Sequence, residues 1–288
     1  GIPIISLYGN HKKPLPEEME GVDLVVFDLQ DVGARFYTYI STLHYVMEAC
    51  AENGVPLLVL DRPNPNGGIV DGPLLEPEYT SFVGMHPIPV MYGLTIGELA
   101  MMINGEGWLK GGVQCNLQVI PCENYFHGKP YSMPVSPSPN LANDHAILMY
   151  PSTCFFEGTV MSEGRGTPWP FEVYGHPDLE GEFSFTPVSI PGVSGNPKFK
   201  DQLCYGANLT GFIPTNGWSR LHLRWLLDAY SKYPRKEEFF TSFFEKLAGT
   251  ATLRKQIEMG LNEEQIRQSW QKELKCYLEK RKNYLMYD

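Results

Sequence analysis

The chain has 288 residues, 43 % of them hydrophobic and 19 % charged. That composition excludes a disordered polymer and supplies core for one large domain or two ordinary ones, with two the better match to the length. A formal net charge of -10 argues against a nucleic-acid backbone or an anionic membrane as partner, and no apolar run approaches the roughly 20 residues of a bilayer span.

The chain opens on Gly1, with no Met and neither a signal peptide nor a lipidation motif. A processed or trimmed start is expected, so the missing leader says little about compartment. Six cysteines are scattered without C-x-x-C spacing. They read as small buried hydrophobes, not as a disulfide framework, zinc ribbon or redox motif.

Ile2 to Leu7 reads as a short strand, followed by a polar, Pro-bearing segment from Asn10 to Glu18. Leu24 to Leu29 is an apolar run, with Asp28 within it, of the kind that fills a buried strand. From Tyr37 to Asn53 the apolar residues Tyr37, Ile40, Leu43, Val46, Met47 and Cys50 fall on one helical stripe that ends at Gly54. Val55 to Leu60 is the next buried run. Strand, helix and strand at this spacing make a βαβ unit, with parallel strands and a right-handed crossover.

Asn64 to Gly72 is a turn region. Thr95-Ile96-Gly97-Glu98 fits a capping box opening a helix over Ile96 to Asn104, and Cys115 to Ile120 alternates like a strand. Pro130 to Asn140 is a stiff connector, and a composition shift near residue 148 marks a boundary between domains 1–147 and 148–288. Gly181 to Thr215 reads as short strands and loops. Helical patterns follow over Arg220 to Tyr233, Lys236 to Leu247, Thr252 to Met259 and Glu263 to Tyr284.

Two stretches are candidates for chemistry. The first is the end of the βαβ strands. Asp28, Gln30, Asp31, Arg35 and Tyr37 put two carboxylates, an amide, a guanidinium and a phenol within ten residues. Parallel strands bring Asp61, Arg62 and Asn64 to the same edge, where open α/β sheets bind ligands. The competing reading makes Asp31 a helix N-cap.

The second stretch runs from Tyr150 to Phe171 and holds Glu157, Glu163 and Arg165, with glycine on both sides of Arg165. Glu163 beside Arg165 suits a fixed carboxylate or a clamp on a sugar, while a solvated surface turn is the alternative. No phosphate-binding glycine motif follows a strand, the histidines lack metal-ligand spacing, and no G-x-S-x-G elbow is present. No metal or cofactor is therefore expected. Aromatic residues such as Tyr39, Trp169 and Phe171 flank both stretches and suit either sugar stacking or core packing.

FDLQDVGARFYTYISTLHYVMEA, LDRPNPNGG, SPSPN and FEGTVMSEGRGTPWPFE, in that order, resemble the exo-β-N-acetylmuramidases of the NamZ type. The resemblance covers essentially the whole chain. It implies an α/β protein with a Rossmann-like parallel-sheet N-terminal domain, a smaller α+β C-terminal domain and a cleft between them. It also implies release of N-acetylmuramic acid from the non-reducing ends of peptidoglycan fragments, and hence a periplasmic or secreted setting.

Family members carry further βα elements and a Pro-Glu-His-Gly motif upstream of the Ile2 to Leu7 strand, and its Glu is a favoured catalytic candidate. This chain contains no such segment. Within it, Glu163 is the first acid/base candidate, with Asp28 and Asp31 next. Arg35 and Arg165 are candidates for binding the lactyl carboxylate. Asp61, Arg62 and Asn64 would complete the rim, with Gln30, Tyr37, Asn140 and Glu157 as further substrate contacts. The partners expected are peptidoglycan-derived sugars or muropeptides; oligomeric state is not legible. A non-catalytic glycan-binding module is the alternative, and a metal-dependent phosphoryl-transfer site on Asp28 and Asp31 a weaker third.

Overall fold

The structure is a computed structural model and describes residues 2–215 and 217–288. After a single helical turn, α1 (Pro16–Met19), the chain enters β1 (Val25–Phe27), crosses through α2 (Tyr39–Asn53) and returns in β2 (Leu57–Leu60). β1 and β2 pair in parallel with Val26 opposite Leu58. The βαβ unit forms because two short apolar runs can share a sheet only if the intervening helix lays its apolar stripe on it. Ile40, Leu43, Met47 and Cys50 of that stripe are fully buried.

β3 (Val70–Leu74) and β4 (Pro89–Tyr92) form a two-stranded antiparallel ribbon. Next comes α3 (Ile96–Gly105), opened by the expected capping box. Glu98 N donates to Thr95 Oγ1 at 3.2 Å and Thr95 N donates to Glu98 Oε2 at 2.9 Å. β5 (Leu117–Ile120) then completes the parallel sheet in the order β1-β2-β5. Ile2 to Leu7 is not a strand. It finds no partner among the described residues, and Ile2 and Ile4 are 92 % and 96 % exposed. Strands are made by pairing and not by apolar content alone.

α4 (Asp144–Thr153) leads into the second half, where β6 (Val173–His176), β7 (Phe183–Phe185) and β8 (Cys204–Asn208) form an antiparallel sheet in the order β6-β8-β7. Five helices close the chain: α5 (Arg224–Lys232), α6 (Phe244–Ala248), α7 (Thr252–Glu258), α8 (Glu263–Ser269) and α9 (Gln271–Arg281). The single helix expected over Glu263 to Tyr284 is divided at Trp270. Its indole Nε1 donates to the buried Asp71 at 3.0 Å, and Arg267 pairs with the same carboxylate. The Lys236 to Leu247 pattern forms only a 3-10 turn and the short α6.

Two cores result. One lies between α2, α3 and the parallel sheet. The other gathers α4, α5, α6 and the loops around Phe155, Phe171 and Phe239. The chain's last residues return to the first core, with Tyr277 Oη donating to Tyr92 O at 2.7 Å and Tyr287 Oη to Asp61 at 2.6 Å.

Candidate active site

At the end of β1 the carboxyls divide. Asp28 is exposed and pairs with Arg62 at 2.6 Å. Asp31 is buried, and its Oδ2 accepts from Gly33 N at 2.6 Å and from the Tyr92 phenol. Burial pushes Asp31 up to about 6, against the pull of those two donors. Its Oδ1 is buried without a hydrogen-bond partner. The two aspartates therefore face different surroundings, and the shared site that metal-dependent phosphoryl transfer would need is not formed. Nor is Asp31 the side-chain cap of α2, whose first turn has none. The turn between them requires Gly33: its φ is +74°, and a Cβ there would meet the Asn64 side chain at 2.2 Å.

Arg35 corrects the expectation that it binds substrate. Its side chain is wholly inaccessible. One guanidinium nitrogen donates to Pro73 O and Ile88 O at 2.9 and 2.7 Å, and the other to Leu247 O and Ala248 O at 3.0 and 2.8 Å. A forked donor suits this task better than an ammonium, because it can bind carbonyls of two strand ends and a helix end at once. Arg35 fastens the β-ribbon to α6.

Asp61 and Asn64 are likewise not rim residues. Asp61 accepts from Gly97 N, in the first turn of α3, at 2.7 Å and from Tyr287. Burial raises its pKa despite these donors. Asn64 is buried, donates to Gly67 O and Leu94 O at 3.0 Å each, and accepts from Asn66 N at 2.9 Å. Gln30 donates to Asp31 O and Pro63 O at 2.8 and 2.9 Å, tying the two strand ends together. Asp28 and Arg62 of this edge remain at the surface, and Gln30 is half-buried.

The second cluster is built differently. Arg165 Nε lies 3.1 Å from Glu157 Oε1 and 3.3 Å from Glu163 Oε1, so one guanidinium braces both carboxyls. Its Nη2 is 2.6 Å from Glu157. Lys198 Nζ stands 3.3 Å from Glu163 Oε2. Glu163 is 3 % exposed, and Oε2 has no hydrogen-bond partner. Burial raises the pKa of Glu157 and the neighbouring Glu163 charge adds to it, while Arg165 opposes both. Lys198 was not anticipated: it lies in a stretch read only as short strands and loops, without a local signal.

An aromatic row joins the two clusters. Tyr37 meets Tyr39 edge-on at 5.0 Å and Tyr150 at 6.0 Å; Tyr150 meets Phe171 at 4.8 Å, and the Arg165 guanidinium sits 4.9 Å over Phe171. The Tyr37 hydroxyl donates to Pro137 O at 2.6 Å. Asn140, on the same connector, donates to Val193 O at 3.2 Å and keeps a buried Oδ1 without a partner. Asp31, Asn140 and Glu163 thus each hold a buried acceptor that the described residues leave open. Buried acceptors of that kind are costly unless something else meets them.

A cavity of about 740 Å³ lies elsewhere. It lies on the face of α4 that carries Asp144, Ile147 and Leu148, and is walled by Gly68, His127 and Trp218 among others. Its one carboxyl, Asp144, accepts from Met133 N at 3.2 Å. None of Asp31, Glu157, Glu163 and Arg165 lines it, so volume and chemistry do not coincide here, and the chemistry decides. Among the described residues no group of three His, Cys, Asp or Glu side chains could hold a metal ion.

An α/β protein with buried carboxyls braced by cations and bordered by aromatics fits the class of acid-base enzymes acting on sugars. The comparisons with known proteins narrow that class. A family model described as the N-terminal part of exo-β-N-acetylmuramidase NamZ matches residues 1–145, and its C-terminal counterpart matches residues 148–287. The chain belongs to this family. A peptidoglycan β-N-acetylmuramidase NamZ from Bacillus subtilis (strain 168) is 41 % identical over 307 residues, spanning 100 % of this chain and 73 % of that protein.

Two crystal structures of DUF1343 family proteins from Bacteroides fragilis NCTC 9343 are also similar. One has a TM-score of 0.92 at 47 % identity, covering 96 % of this chain and 78 % of that one. The other has a TM-score of 0.88 at 29 % identity, covering 100 % and 81 %.

Proposed function

We infer that the protein is a glycoside hydrolase, an exo-β-N-acetylmuramidase that releases N-acetylmuramic acid from the non-reducing ends of peptidoglycan fragments. The observation that carries this is the 41 % identity, spanning the whole chain, to a peptidoglycan β-N-acetylmuramidase. Glycosidases work with carboxyl groups, one able to hold a proton while another is ionised. Glu163 is the acid/base candidate, because it is buried and its Oε2 has no hydrogen-bond partner. Arg165, with its side chain 33 % exposed, is the remaining arginine for the lactyl carboxylate. Tyr37, Asn140 and Glu157 contribute to the same wall. Asp31 is a second carboxyl able to carry a proton near neutral pH, and Asp28 with Arg62 borders the strand-end edge.

The reading also takes residues 1–147 as a Rossmann-like domain, residues 148–288 as its α+β partner, and the periplasm or exterior of the cell, where peptidoglycan fragments occur, as the setting. Glu163→Gln keeps the shape of the side chain and removes its acid-base function. In the full-length protein it is expected to lower turnover of a chromogenic muramic-acid glycoside by about 10²–10⁴-fold. Near-wild-type turnover with an unchanged melting temperature would remove Glu163 from the chemistry.

A further inference from the structure

An ammonium group has three protons to give. Lys198 Nζ has five acceptors around it: Phe156 O at 2.8 Å, Met161 O at 2.9 Å, Thr159 O at 3.0 Å, Glu157 O at 3.4 Å and Glu163 Oε2 at 3.3 Å. The three shortest contacts, all to backbone carbonyls, take the three protons. Glu163 Oε2 therefore feels the positive charge without receiving a hydrogen bond, which accounts for its being buried and unpartnered.

The segment that delivers Lys198 is fixed on several sides. Val188 N donates to Gly166 O at 2.8 Å, and a Cβ on Gly166, whose φ is +79°, would meet Val188 O at 2.5 Å. Val193 O accepts from Asn140. Just beyond Lys198, Phe199 and Asp201 take the left-handed region at φ 54° and 61°. Non-glycine residues hold that conformation only where surrounding contacts impose it.

We propose that Lys198 is the positioning residue of the site: it draws the Phe156–Met161 turn around its ammonium and sets a positive charge beside Glu163 without spending a hydrogen bond on Oε2. The assignment rests on the reading of Glu163 as the acid/base carboxyl. The charged groups around that carboxyl are Lys198, Arg165 and Glu157, with Cys154 as a further titratable neighbour. Removing Lys198 leaves Arg165 alone against two carboxyls and takes away one of the charges that oppose the raised pKa of Glu157.

The test uses the full-length protein, the chromogenic muramic-acid glycoside and the variants Lys198→Gln, Lys198→Ala and Glu163→Gln. Lys198→Gln keeps amide donors for the carbonyls but carries no charge. Its kcat is expected to fall about 10–100-fold, the usual scale for loss of an orienting partner, with KM changed less than about threefold. The alkaline limb of the pH–kcat/KM profile, set by loss of the acid/base proton, should move up by about one pH unit. Lys198→Ala should fall at least as far and recover part of its rate in added methylammonium.

Wild-type kcat and an unshifted limb in Lys198→Gln would overturn the assignment. So would a loss of rate that tracks a lowered melting temperature with the limb in place. Glu163→Gln separates the two possible failures. An active Glu163→Gln removes the carboxyl reading itself, whereas an inactive one beside an unshifted Lys198→Gln overturns only the role of Lys198.

Discussion

Between Asp28 and Asn64 the polar side chains are bound to the fold, and between Glu157 and Arg165 they are bound mainly to one another. Arg35 binds four backbone carbonyls, Asn64 closes a turn, and Asp61 anchors the first turn of α3. In the second stretch Arg165 braces two carboxyls, and Glu163 Oε2 is left with charge beside it but no hydrogen bond. Density of polar residues is the same signal in both. What distinguishes them is the partner: the first stretch is met mainly by backbone and holds structure, with Asp31 Oδ1 and Arg35 Nε its unmet atoms, whereas the second pairs charge with charge.

The sharpest way to break this contrast is Arg35→Met. A buried guanidinium replaced by an apolar chain of similar length leaves four carbonyls unpaired, at a cost of about 3–5 kcal/mol. Denaturant unfolding should show that loss, whereas Arg165→Met should lose activity with a far smaller change in stability. An Arg35→Met protein as stable as wild type, with weakened binding of N-acetylmuramic acid, would return Arg35 to the substrate site.

Asp31 supplies the second test, through pH. Its folded-state pKa, about 6, lies above that of an unfolded aspartate, near 3.9. The folded state thus binds the proton more tightly than the unfolded one. Asp31 therefore contributes stability below about pH 4 and loses that contribution as pH rises through 6. Asp31→Asn cannot ionise, so its stability relative to wild type should rise between pH 4 and pH 7.5 by on the order of 2–3 kcal/mol. Taking the difference between the two proteins cancels the opposite trend of His86. Burial pulls that residue down to about 3, and its contribution is lost as pH falls below about 6.5. A flat difference across that range would mean that Asp31 is not the buried, proton-holding carboxyl described above.

The backbone of this fold was legible where local signals agree. The β1-α2-β2 unit follows from two apolar runs and a helical stripe, and α3 from Thr95 and Glu98. Ile2 to Leu7 misled because its apolar residues signal a strand while pairing depends on a neighbour. The site was less legible because its decisive facts are long-range. Arg35 looked like a ligand-binding arginine; the carbonyls it serves at 247 and 248 are 212 and 213 positions away. Glu163 and Arg165 were suggestive as neighbours in a glycine-flanked turn. The third member, Lys198, is 35 residues beyond Glu163, in a stretch with no periodicity to mark it.

The smallest effect is expected where the strand-end edge meets water. Asp28 and Arg62 form a short ion pair, but their side chains are 44 % and 40 % exposed. An exposed pair gains little from Coulomb attraction in high dielectric and loses side-chain entropy on forming, so its coupling should be about 0.5 kcal/mol or less. A double-mutant cycle with Asp28→Asn and Arg62→Gln, followed by denaturant unfolding in 50 mM and 500 mM salt, measures it directly. If Asp28 touches substrate, Asp28→Asn should reduce kcat/KM by more than this coupling can account for, and Arg62→Gln should not reproduce the loss. Equal and small kinetic effects in both variants would leave Asp28 a surface partner of Arg62, and would put the remaining chemistry of the described residues with Asp31 and with the Glu157, Glu163 and Arg165 cluster across the aromatic row.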